Sequence, residues 1–184
     1  MLEDGSVYEG TARGDFKETA CEIVFNTSMT GYVEILTDPS YAGQGVVMTY
    51  PMIGNYGISR EDFESERLQP SAFIVHELSS DPSNFRCTDT IENLLKEYNI
   101  PCISGVDTRA VVKKLRESGT MRGVLTSDIG DRERLMDIIK SFRQIDLVGS
   151  VTAKQTKVYG EENTGAEIAL MDFGTKRNII NNLV

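Results

Sequence analysis

Between residues 72 and 142 the chain alternates short apolar runs with amphipathic helical segments, and this rhythm constrains its fold more than any other feature. In "DTIENLLKEYN", Ile91, Leu94, Leu95 and Tyr98 fall at i, i+3, i+4 and i+7, with Asp89 and Glu92 in a capping-box arrangement. "DTRAVVKKLRESG" repeats the design: Asp107 or Thr108 caps, Val111, Val112 and Leu115 face inward, and Gly119 stops the helix. "RERLMDIIKSF" places Leu135, Ile138, Ile139 and Phe142 in the same register. The intervening "AFIVHE" and "PCISG" are short and continuously apolar, as strands buried on both faces are, and "MRGVLTSD" reads as a further strand. Strands and helices alternating at this pace imply parallel pairing through crossover helices.

The first 57 residues have a different texture. "GSVYEGTARG" alternates loosely, "CEIVFN" is rich in β-branched residues, and "GVVMTYP" is an apolar run closed by Pro51. This half predicts an antiparallel or mixed sheet, so two sheet regions and a helical layer are expected. Residues 154–167 carry little apolar content and read as a linker. After them, "IALMDFGTKRNIINNLV" reads as an apolar strand, a glycine turn and the opening of a helix. A strand and one helix cannot bury both faces alone, so residues 168–184 are expected to begin a second unit.

The balance of 19 Lys and Arg against 28 Asp and Glu gives a net charge of −9, which repels phosphate backbones and anionic lipid. Nucleic acid and membrane are therefore not expected as partners. The N-terminus lacks the basic and apolar regions of a secretory signal, and no apolar run approaches a membrane span, so a soluble cytoplasmic protein is expected. Cys21, Cys87 and Cys102 are too widely spaced for a zinc knuckle or a disulfide framework. Cys21 and Cys102 lie in apolar strand contexts and read as inert core thiols.

Known catalytic patterns fit poorly. Gly43 and Gly45 begin a GxGxxG pattern, but Met48 occupies its sixth position. Asp172-Phe173-Gly174 matches a kinase triplet without the accompanying loops. The acidic run "EDFESER" is most simply a solvated helix face or loop. His76, the single histidine, ends an apolar strand with no orienting group in view, and a hydrolase built on Cys87 and His76 is the weakest of the readings left open. "VFNTSMTGYVEILTDPSY" and "TYPMIGNYG" set hydroxyls and amides beside glycines without a strong acid or base. Such groups suit binding and positioning, or simply satisfy their own turns. On composition alone, catalytic site, partner surface and plain strand all remain open for residues 36–57.

Four motifs in order, "FNTSMTGYVEILTDPSY", "TYPMIGNYG", "GVDTRAVVKKLRESGTMRG" and "MDFGTKRNI", make the chain resemble the N-terminal portion of the small, glutamine-hydrolysing subunit of carbamoyl-phosphate synthetase. The resemblance implies an α/β fold, a three-layer β/β/α domain with a parallel or mixed central sheet and a second, antiparallel sheet. It implies an N-terminal domain over 1–153, a linker over 154–167 and the truncated start of a class I glutamine amidotransferase domain over 168–184. The implied enzyme makes carbamoyl phosphate from bicarbonate, glutamine and ATP for arginine and pyrimidine biosynthesis, passing ammonia from the small subunit to a large one. The serine of "LTDPSY", Ser40, is the glutamine-contacting residue that the resemblance carries over, and "VFNTSMTGY" and "TYPMIGNYG" are candidate surfaces near glutamine or the large subunit. The family's catalytic cysteine, histidine and glutamate have no match here, so no catalytic residue, metal ligand or cofactor is expected in this chain. ATP and a divalent metal are expected on the large subunit. A stand-alone binding or assembly module without amidotransferase activity is the alternative.

Overall fold

The computed structural model describes residues 1–14, 16–143 and 146–184. Eight strands and six helices follow in the order β1 (Thr11–Arg13), β2 (Thr19–Asn26), α1 (Tyr32–Thr37), β3 (Gln44–Met48), β4 (Met52–Ile53), β5 (Ala72–Ile74), β6 (Glu77–Leu78), α2 (Ile91–Glu97), β7 (Cys102–Ser104), α3 (Thr108–Ser118), β8 (Met121–Leu125), α4 (Arg132–Ser141), α5 (Leu147–Val151) and α6 (Arg177–Leu183). Six strands form one mixed sheet in the order β1-β7-β5-β3-β2-β8. Its four inner strands run parallel, and β1 and β8 close the edges antiparallel.

Side chains along the central strands alternate between two cores, as the period of two requires. Val46, Met48, Phe73 and Cys102 join one cluster with Tyr32, Leu36, Ile53, Ile91, Leu94 and Leu95. Cys21, Ile23, Val47, Ala72 and Ile74 face the other, against Val111, Val112 and Leu115 of α3. Leu135 and Ile139 of α4 cover Val124 at the β8 edge. The layers are the small β4-β6 sheet with α1 and α2, the six-stranded sheet, and α3, which is the expected three-layer architecture. Gly45 sits where a Cβ would lie 2.7 Å from Cys21 Sγ and 2.8 Å from Ile23 Cδ1, so sheet packing explains this glycine.

Four details differ from the sequence reading. The first half does not form its own antiparallel sheet: β2 and β3 are parallel neighbours within the main sheet, joined through α1. The second sheet is two short parallel strands, because residues 54–76 carry the chain through β5 before it returns alongside β4. The cap of α2 is Thr90, whose side chain accepts from Asn93 N, while Asp89 accepts from Thr90 N and Asn93 Nδ2. The apolar residues 168–171 form no strand; Ile168, Leu170 and Met171 are exposed and find no sheet edge among the described residues. The caps predicted for α3 are present, with Asp107 accepting from Ala110 N and Gly119 ending the helix.

Candidate functional site

Ser40 occupies a one-turn 3-10 helix, Pro39–Tyr41, directly after α1. Proline supplies the fixed φ that suits a first helical position, and Asp38 Oδ1 accepts the Ser40 amide at 2.9 Å. The backbone is thus pinned while the side chain stays exposed, and Ser40 Oγ makes no hydrogen bond to the described residues. A hydroxyl held this way is free to donate to or accept from a ligand.

The turn is anchored from below by α1. Thr37 is fully buried, and its Oγ1 donates to Val33 O at 2.8 Å and accepts from Glu64 N at 2.9 Å. Ser65 Oγ donates to Thr37 O at 2.6 Å, and Gln69 N donates to Leu36 O at 2.9 Å. Asn26 Nδ2 donates to Tyr41 Oη at 2.9 Å, tying the end of β2 to the same turn.

Residues 172–178 lie against this turn from the other side. Lys176 Nζ is 3.5 Å from Asp38 Oδ2, the carboxylate that also holds Ser40. Gly174 has φ +107°, and a Cβ there would stand 3.1 Å from Pro39 Cβ and 2.7 Å from Val151 Cγ2; the backbone approaches so closely that only glycine fits. Asp172 Oδ1 accepts from Gly174 N at 2.9 Å and Thr175 N at 2.7 Å. Burial pushes the Asp172 carboxyl up, but the bonds from Thr175 and Gly174 outweigh it and leave the group below its ordinary range. The Asp-Phe-Gly triplet is thus a self-capping bend.

The two hydroxyl-rich motifs meet, and largely satisfy one another. Tyr32 and Tyr56 stack with ring centroids 4.1 Å apart. Tyr56 Oη accepts from Gly31 N at 2.6 Å and Tyr32 N at 3.2 Å, while Tyr32 Oη donates to Gly57 O at 2.9 Å. Thr49 donates to Asn26 O through both its amide and its hydroxyl. Tyr32, Tyr56 and Thr49 thus brace the layer beneath Ser40, while Thr27, Ser28, Thr30 and Asn55 of the same motifs stay exposed.

The other candidate groups are separated. Cys21 and Cys102 are fully buried, and desolvation pushes each thiol up to about 12, as befits core thiols. Cys87 Sγ donates to Asp89 O at 3.4 Å, whereas His76 Nδ1 is bonded to Val106 O at 3.0 Å. Cys87 and His76 share no hydrogen bond, so the structure gives no nucleophile and base pair there. No cluster of metal-ligating side chains occurs among the described residues, and no described helix is long and apolar enough to cross a membrane. Sequence reasoning took Glu64 for part of a solvated face or loop and did not single out Gln69, since Thr37, Asn178 and Leu36, which they bind, lie in segments remote in the chain.

A family model described as carbamoyl-phosphate synthase small chain, CPSase domain, matches residues 1–125. The carbamoyl phosphate synthase small chain of Clostridium perfringens is 47% identical over 185 residues, covering 100% of this chain and 52% of that protein. Those of Archaeoglobus fulgidus and Caldanaerobacter subterraneus are 46% and 47% identical, over 100% and 97% of this chain. The chain spans about half the length of these curated relatives. The chain belongs to the carbamoyl-phosphate synthase small chain family.

Proposed function

We propose that this chain forms the N-terminal half of the glutamine-hydrolysing subunit of a carbamoyl-phosphate synthase, with Ser40 lending a hydrogen bond to L-glutamine. In this reading residues 1–153 are the small-subunit domain, 154–167 a linker and 168–184 the beginning of the amidotransferase domain. The full-length subunit hydrolyses glutamine and delivers ammonia to a large subunit. There, ATP with a divalent metal activates bicarbonate and carries ammonia on to carbamoyl phosphate, for arginine and pyrimidine synthesis in the cytoplasm. The charge of −9 gives no reason to add nucleic acid or an anionic membrane to its partners.

The observation that carries the reading is the exposed Ser40 hydroxyl, backbone-pinned by Asp38, beside the packed segment 172–178. A residue so placed can hold a substrate whose reacting end lies elsewhere. Attack on a carboxamide needs a thiolate, a base and oxyanion donors held together, and the cysteines and histidine of this chain are not so arranged. Purified, the 184-residue chain should release no glutamate from glutamine above a buffer blank, while a subunit of the relatives' full length does so. Turnover by the 184-residue chain contradicts the reading.

A further inference from the structure

The acidic stretch 61–67 looks like solvated surface in the sequence, yet Glu64 makes three hydrogen bonds that link Thr37, below the Ser40 turn, to α6. Its amide donates to the buried Thr37 Oγ1 at 2.9 Å. Its carbonyl accepts from Arg177 N at 2.8 Å, and its carboxylate Oε2 accepts from Asn178 N at 2.9 Å. A helix start leaves four backbone donors without intrahelical partners. The residue preceding α6, Lys176, supplies no side-chain acceptor, so Glu64, far away along the chain, satisfies two of these donors, the amides of Arg177 and Asn178.

The loop around Glu64 is itself fastened. Ser65 and Gln69 bind the carbonyls of Thr37 and Leu36, Gln69 Nε2 donates to Ser65 Oγ at 2.8 Å, and Arg67 Nη2 reaches Ser150 O at 3.3 Å. No residue of α6 is buried, and Ile179 and Leu183 are exposed, so apolar packing does little to seat this helix. Its place relative to α1 is set by the few polar ties, and the Glu64 carboxylate is a charged acceptor at the end where the helix dipole favours one.

We propose that Glu64 is a positioning residue for glutamine use: by capping α6 while its own amide holds Thr37, it fixes the segment after Asp172 against the turn that presents Ser40. The proposal rests on the reading that Ser40 contacts glutamine. Loosening the clasp should misplace the two sides of the substrate site relative to each other, with no effect on chemistry that starts from free ammonia.

The test uses the full-length subunit assembled with its large chain, in Glu64→Ala, Glu64→Gln and Ser40→Ala forms. Amide exchange at Arg177 and Asn178 is followed together with glutamine-dependent and ammonia-dependent synthesis. Glu64→Ala should raise the KM for glutamine roughly five- to tenfold, the factor expected from losing one charge-assisted cap. It should speed Asn178 exchange by a similar factor and leave the ammonia-dependent rate unchanged. Glu64→Gln keeps an acceptor without the charge and should recover most of the loss. An unchanged glutamine KM, unchanged exchange, or an equal loss with both nitrogen sources overturns the proposal. A raised KM in Glu64→Ala beside an unaffected Ser40→Ala rejects the Ser40 contact and leaves the Glu64 clasp standing.

Discussion

The six-stranded body and the segment from 154 to 184 are ordered by different forces. In the body, Phe73, Leu36 and Met48 are fully buried between a sheet and its covering helices. Burial of each such side chain contributes on the order of 1.5–3 kcal/mol. In the later segment, Met171, Phe173 and Ile179 are exposed, and position depends on backbone hydrogen bonds donated to Asp172 and Glu64, the Lys176 to Asp38 pair and the close approach of Gly174. The difference teaches that the fold and the candidate site can be perturbed separately. Ser40 lies at the seam, with its turn built by the first kind of force and its surroundings completed by the second.

The widest gap should appear between two phenylalanines. Phe73→Ala, in a site with 0% exposure, should cost about 3–5 kcal/mol in urea unfolding, whereas Phe173→Ala, 58% exposed, should stay within about 0.5 kcal/mol of the parent. Similar losses would break the distinction between the regions.

A smaller effect is expected inside the body. Tyr56→Phe keeps the stack on Tyr32 but removes the acceptor of the Gly31 and Tyr32 amides, which should cost about 1–3 kcal/mol. Hydrogen exchange of residues 172–178 should not change in this variant. Faster exchange there would show that the tyrosine pair reaches across the seam.

Smallest is the pH response of the sheet edge. Arg134 and Thr126 hydrogen bonds hold the exposed Glu18 carboxylate down to about 2. A carboxyl depressed on folding stabilises the native state above its unfolded value, and that contribution is lost as pH falls from roughly 4.5 through about 2. Because the pair is solvated, Glu18→Gln should flatten this acid slope only slightly. A large change in the slope would mean that the β8 edge is less wet than its exposure indicates.

Three helices and most strands were legible because their apolar residues keep a clean period and their caps are local, as with Asp107 and Gly119 around α3. Helix α1 was hidden. Its six residues include β-branched Val33, Ile35 and Thr37, which favour strands in isolation, and burial overrides that preference. Residues 168–171 mislead in the opposite direction, being apolar enough for a strand but without a sheet edge to join. The parallel pairing of β4 and β6 depends on where β5 lies, and no local pattern encodes that. Within the site, Ser40 could be named only through its motif, since a serine in a Pro-containing turn has no distinctive chemistry. Glu64 could not be named at all, because its partners lie at Thr37 and Asn178 while its neighbours in sequence resemble any charged loop.

The central claim, that Ser40 presents its hydroxyl to glutamine at this seam, is tested most directly by Ser40→Ala in the full-length subunit bound to its large chain, assayed with glutamine and with ammonia. The side chain is exposed and the turn is held by Asp38 and the Ser40 amide, so the substitution should leave stability within about 0.5 kcal/mol. Glutamine-dependent synthesis should fall through loss of one substrate hydrogen bond, roughly tenfold in kcat/KM, with ammonia-dependent synthesis intact. An unchanged glutamine reaction, or an equal loss with both nitrogen sources, would contradict the claim.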